Sequence, residues 1–203
     1  MDLKTHAPIS KSEPFFQRGW ALKCLLFAAC LSMFLGAAKA DEDELWTALR
    51  ERTAFGMMRH ALAPGFGDPE NFKVDDCTTQ RNLSDEGRKQ AQEIGQRFRD
   101  RGIKRLTLFS SAWCRCRETA KLLDLGPVTT LDSLNSFFQA RENREPQTAA
   151  LKTWLAAYSF DTPVILVTHQ VNISALTGEY ADSGDIVIMR RDKSGALKFL
   201  GKL

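Results

Sequence analysis

Apolar residues fall along this chain in short runs separated by amphipathic stretches, the pattern of strands alternating with helices. Residues 54–58 (Ala-Phe-Gly-Met-Met) and 163–168 (Pro-Val-Ile-Leu-Val-Thr) are continuous apolar runs of strand length, as expected for strands buried on both faces. Leu106 to Phe109 and residues 127–131 read as two more strands. Helical periodicity predicts a helix over 41–52 that buries Leu45, Trp46 and Leu49, and another from Ser84 to Gly102 with Ala91, Ile94 and Phe98 on one face. Ser84 is a suitable N-cap, Asp85 and Glu86 complement the helix dipole, and Gly102 suits the C-terminus. Further helices are expected over 116–125 and 147–158, and residues 186–189 and 197–200 predict a terminal hairpin around Lys193-Ser194-Gly195. This alternation predicts an α/β fold, a three-layer α/β/α sandwich with a mostly parallel central sheet.

The first 40 residues do not belong to that pattern. Lys4, Lys11, Arg18 and Lys23 precede an apolar stretch from about Leu25 to Ala38, and Ala38-Lys39-Ala40 is a small-x-small cleavage site ahead of Asp41-Glu42-Asp43-Glu44. That order is the order of an export signal, so residues 1–40 are expected to be removed and 41–203 to form a single domain. The alternative is a retained N-terminal membrane anchor. A periplasmic or otherwise exported location follows, with no stable membrane insertion after cleavage.

Removing the leader also changes the charge. It holds five of the 28 Lys and Arg and two of the 25 Asp and Glu, which leaves 23 of each, so the formal +3 of the whole chain is no argument for a nucleic-acid partner.

Only three histidines occur, and His6 lies in the leader. His60 and His169 each follow a predicted parallel strand, at the sheet edge where α/β proteins bind ligands. A third strand runs into Ser110-Ser111-Ala112-Trp113-Cys114-Arg115, a strand-to-helix turn suited to an anion. With Arg59 these predict one positive, phosphate-sized pocket. An imidazole can attack phosphorus, and flanking guanidinium groups can stabilise the equatorial oxygens, so the expected chemistry needs neither metal nor other cofactor.

Four ordered motifs make the reading more specific. Met58-Arg59-His60-Ala61, Leu83-Ser84-x-x-Gly87-x-x-Gln90-Ala91, Ser110-Ser111-x-x-x-Arg115-x-x-x-Thr119-Ala120 and Thr168-His169 resemble the signatures of the histidine phosphatase (phosphoglycerate mutase-like) superfamily. The resemblance implies a metal-independent phosphoric monoester hydrolase of the histidine acid phosphatase type. In it His60 would be the nucleophile, Arg59 and Arg115 would hold the phosphoryl oxygens, and His169 would complete the pocket. The substrate would be a small phosphorylated molecule or a phosphorylated envelope component.

Three departures from the family pattern stand out. Ala61 replaces a glycine, the chain lacks long insertions that could form a cap, and the usual proton donors are missing: Ser136 and Gln170 occupy the two positions where branches of the family carry a glutamate or an aspartate. Asp132, Glu142 and Glu145 are candidate replacements, with Asp75 and Asp76 behind them. The missing acid keeps open a phosphohistidine or other phosphoramidate hydrolase, and a non-catalytic phosphate-binding regulatory protein.

The long Gly-, Pro- and Asp-rich segment from Pro64 to Asn82 should form one pocket wall, with Arg81 and then Lys73 as added phosphate ligands. Trp113, Phe137 and Phe138 are expected in packing roles. Of the three cysteines after the leader, Cys116 falls where the family usually has a small buried alanine, so Cys77 is expected to pair with Cys114, in keeping with an oxidising compartment.

Overall fold

The computed structural model describes residues 42–203; the predicted leader lies outside the described residues. Helix α1 spans residues 42–50, followed by β1 Phe55–Arg59, α2 Asp85–Asp100, β2 Thr107–Ser110, α3 Cys114–Leu122, β3 Val128–Thr130, α4 Arg144–Ala157, β4 Val164–Thr168, α5 Gln170–Thr177, β5 Ile186–Arg191 and β6 Leu197–Lys202. The six strands form one sheet in the order β3-β2-β4-β1-β5-β6. β3, β2, β4 and β1 are parallel neighbours, and β5 and β6 close the other side as antiparallel strands.

Alternation along the strands creates two cores. Met58, Leu108, Ile165, Val167, Ile186 and Ile188 pack with Trp46 and Leu49 of α1, Ile94 and Phe98 of α2 and Ala120 of α3. Phe55, Met57, Val164, Leu166, Val187 and Met189 point the other way, onto Leu151 and Leu155 of α4 and Ile173 of α5. A period of two thus gives each strand two apolar faces and the fold three layers, as the strand runs predict.

The sequence reading differs from the structure mainly at element ends. α4 begins at Arg144, three residues earlier than periodicity places it, and α3 begins at Cys114. α5 has no counterpart in the sequence pattern: its eight residues have little amphipathic character, although Gly178 at its end, with φ +78°, is the left-handed stop that helices favour. Ser84 caps α2 as predicted, accepting from Gly87 N at 3.1 Å.

Gly87 also explains how the loop after β1 is held. A Cβ there would lie 2.0 Å from the Leu62 carbonyl oxygen, so only glycine lets that loop lie on the helix. Ser84 N donates to the same carbonyl, and Gln90 Oε1 accepts from Leu62 N. The chain leaving His60 is therefore fastened to the first turns of α2.

Candidate active site

β1 and β4 lie side by side with Arg59 in register with Thr168, so the chain delivers His60 and His169 together at one sheet edge. Their ring centroids are 5.4 Å apart, and both side chains are almost fully buried. β2, the other neighbour of β4, ends at Ser110 and turns into α3, which carries Arg115. Arg59, His60, Arg115 and His169 line a cavity of about 220 Å³, together with Asp68 and Arg81 of the long loop.

His60 is set up as a neutral nucleophile. Its Nδ1 lies 2.8 Å from the Ala61 carbonyl oxygen, which can only accept, so Nδ1 carries the hydrogen and Nε2 keeps its lone pair. Burial, and then the positive charge of Arg115, push its pKa down from 6.5 to about 3, with Arg81 and Arg59 acting in the same direction. Ala61, in the signature glycine position, is fully buried and not among the positive-φ residues, so its methyl group is accommodated without backbone strain. Its N–H donates to Thr119 Oγ1, which in turn donates to the Arg115 carbonyl and couples the nucleophile's loop to α3.

His169 is held through its other nitrogen. Its Nε2 is 2.9 Å from Ser111 Oγ, which also lies 3.3 Å from Asn135 Oδ1. Burial first, then Arg115 and the neighbouring imidazole, hold its pKa well below the usual histidine value. Cys116 packs against the same ring, its thiol pushed up to about 12 by burial.

The arginines divide their donors. Arg59 Nη1 donates to the Ala181 carbonyl, and Arg115 uses Nη1 and Nη2 on both oxygens of Asp68, at 2.6 and 3.1 Å. Both Nε–H groups are buried and have no acceptor among the described residues. Arg81 braces the loop through the Gly67 and Ala63 carbonyls, and burial beside Arg115 lowers its pKa to about 10.

Asp68 is the site residue that the sequence did not reveal. Its carboxylate takes both Arg115 nitrogens, Arg81 N and Trp113 Nε1, and is 3% exposed. Its hydrogen bonds from Arg115 and the charge of that guanidinium outweigh the effect of burial and keep it ionised below the usual range. In the sequence it sits in Gly-Phe-Gly-Asp-Pro, where an aspartate reads as an ordinary turn former.

Several candidate residues lie away from the cavity. Lys73 does not line the cavity; it is exposed, and its backbone is taken up by Thr79 and by a bridge to Asp76. Asp132, Glu142 and Glu145 do not line it either. Asp132 sits in a 3-10 turn after β3, and Glu142 and Glu145 are exposed around the start of α4. Asp75 and Asp76 are likewise outside, in the loop's distal turn. Phe138, expected to pack, lines the cavity, whereas Phe137 is buried in the protein. Ser136 and Gln170, which the resemblance places at proton-donor positions, do line it.

Cys77 and Cys114 are joined by a disulfide, with Cα atoms 5.7 Å apart. Cys116 is a free, buried thiol. Among the described residues no group of three His, Cys, Asp or Glu side chains could hold a metal ion, and no helix is long and apolar enough to cross a membrane.

Residues 57–139 match the model of the histidine phosphatase superfamily (branch 1), a span that holds Arg59, His60, Asp68 and Arg115. That segment, residues 57–139, is similar to a histidine phosphatase domain. Solved structures agree on the fold. The protein histidine phosphatase SixA, solved with tungstate, aligns at a TM-score of 0.55 and 15% identity over 74% of this chain and 96% of its own. A putative phosphohistidine phosphatase SixA from Agrobacterium tumefaciens gives 0.52 and 20% over 75% and 97%. A mycobacterial glucosyl-3-phosphoglycerate phosphatase gives 0.52 and 16% over 72% and 96%. No curated protein sequence matches this chain. His169 lies beyond the matched segment and reaches the same cavity through the pairing of β1 with β4.

Proposed function

We propose that the protein is an exported phosphatase that hydrolyses a phosphomonoester through a phosphohistidine on His60. One observation carries the reading: Arg59, Arg81 and Arg115 converge on the cavity that holds the neutral His60 imidazole, a set of guanidinium groups suited to the oxygens of a phosphoryl group. Arg59 and Arg115 each also keep a buried Nε–H without an acceptor among the described residues, and buried donors are rarely left unpaired. The three arginines outnumber Asp68, so the cavity is positive while both imidazoles are neutral. The three structural neighbours named above are phosphatases by name, which points the same way. The disulfide supports an oxidising compartment, where such bonds persist.

In the proposed reaction the Nε2 lone pair of His60 attacks phosphorus in line, and the bond to the leaving oxygen breaks. The Arg59 and Arg115 donors stabilise the charge on the equatorial oxygens. Water then attacks the phosphohistidine, and the electrons of the P–N bond return to Nε2. Because the arginines supply the electrophilic stabilisation, turnover is expected to survive a chelator.

The test is a phosphomonoester panel run on the purified protein and on His60→Ala. Turnover and an acid-labile, base-stable phosphoenzyme are expected in the parent only. A His60→Ala variant that keeps substantial turnover would remove the covalent mechanism, and binding without turnover in the parent would leave a phosphate-binding protein.

A further inference from the structure

Phe66 is 96% exposed, the largest exposure of any large apolar side chain in the described residues, and it sits at the cavity that holds His60. It is carried between Gly65 and Gly67, whose φ angles of +93° and +62° are ones that other residues rarely adopt. The loop therefore holds a phenylalanine out in water beside the phosphate pocket, an arrangement with no packing benefit in the free protein. Two more rings share the cavity wall, Phe138 at 39% exposure and Tyr180 at 59%. The floor is cationic and the rim is aromatic.

A second feature concerns proton supply. The only carboxylate lining the cavity is that of Asp68, and both its oxygens already accept from Arg115, Arg81 and Trp113. Ser136 and Gln170 stand where the family's acids would be, and neither side chain is an acid. A leaving oxygen must therefore depart without a strong donor. An alkoxide resembles hydroxide, whose conjugate acid has a pKa of about 15.7, whereas a phenolate, with a conjugate acid near 10, leaves far more readily unprotonated.

Resting on the phosphatase reading above, we propose that the substrate is an aryl phosphomonoester, a phosphorylated phenol of the phosphotyrosine kind, whose ring lies against Phe66, Phe138 and Tyr180. In the first step the His60 Nε2 lone pair forms the P–N bond as the P–O(aryl) bond breaks, and its electron pair stays on the phenolate, which is protonated by water. In the second, water adds to phosphorus, the P–N electrons return to Nε2, and the products are phenol and inorganic phosphate. Rim stacking sets affinity for the ring and the leaving oxygen sets the rate.

Four probes separate these contributions in the full protein: phosphotyrosine, 2-phenylethyl phosphate, glycerol phosphate and a phosphorylated imidazole. Phosphotyrosine is expected to exceed glycerol phosphate at least 100-fold in kcat/KM, with 2-phenylethyl phosphate sharing its low KM but not its kcat. Phe66→Ala should shrink the phosphotyrosine to glycerol phosphate ratio about tenfold, chiefly through KM. Glycerol phosphate turned over as well as phosphotyrosine, a ratio unmoved by Phe66→Ala, or a phosphorylated imidazole outrunning phosphotyrosine would each overturn the aryl assignment while His60 still became phosphorylated. If no probe phosphorylates His60, the phosphatase reading fails and the aryl proposal falls with it.

Discussion

The two walls of the pocket are built in different ways. One is the sheet edge, where β1, β2 and β4 stop in register and place His60, His169 and the turn to Arg115 on strands buried on both faces. The other is the irregular loop from Ala61 to Leu83, which brings Phe66, Asp68 and Arg81 to the same cavity and is held by separate local contacts, among them the Arg81 side chain on two carbonyls, Asp68 on Arg115, and Cys77 on Cys114. A packed sheet fixes the reacting groups, while a pinned loop sets charge and shape around them. Changes in the first wall should cost chemistry, and changes in the second should cost orientation and stability.

The sharpest test of the sheet-edge side after His60 is Arg115→Lys. Arg115 spends its terminal nitrogens on Asp68 and has a buried Nε–H without an acceptor among the described residues, so in the proposed reaction it serves two anions at once. A lysine ammonium keeps the charge but has no planar fork with which to do both. Loss of one preorganised donor typically costs ~2.7 to 4 kcal/mol of transition-state stabilisation, so kcat should fall by roughly 100- to 1000-fold. Near-parental kinetics would show that the Nε–H has no part in turnover.

Asp68→Ala probes the place where the walls meet. Removing one partner of a buried pair typically costs about 3 to 5 kcal/mol, because the remaining charge is uncompensated. The cost should fall near or below that range here, since the cavity is open to water at its mouth. Denaturant unfolding should therefore show clear destabilisation, and inorganic phosphate, as a replacement anion for Arg115, should restore more stability to the variant than to the parent. Equal stabilisation of both proteins by phosphate would mean that Asp68 does not share the anion site.

The same division explains what could be read from the chain. Strand runs, Ser84, Gly87 and the histidines carry signals set by period and local geometry, so the three-layer architecture and the strand-end residues followed from sequence. Asp68 and Phe66 have no such signal. Their roles exist only because a loop without periodicity folds back over α3, and the same holds for Lys73, which shares that loop yet ends up outside the cavity. The acidic candidates show the same limit: Asp132, Glu142 and Glu145 follow β3 in sequence, yet none of them lines the cavity.

The smallest expected effect on kcat belongs to the disulfide that pins the loop's distal turn. The Cys77 to Cys114 bond ties the loop's distal turn to the first residue of α3, one position before Arg115, across a sequence separation of 37. Chain-entropy reasoning gives roughly 4 kcal/mol for a loop of that length, with measured values often smaller. Cys77 is exposed, so a reductant can reach the bond in the folded protein. Reduction should lower the melting temperature and raise KM, because the loop wall loosens, while kcat falls much less than in Arg115→Lys, because β1, β4 and the Asp68 pair still place the reacting groups. Thermal melts and steady-state kinetics on oxidised and reduced protein, with thiol mapping to confirm which cysteines were freed, decide it. A collapse of kcat with KM unchanged would show that the disulfide positions Arg115 itself, and the division between a fixed wall and a pinned one would have to be redrawn.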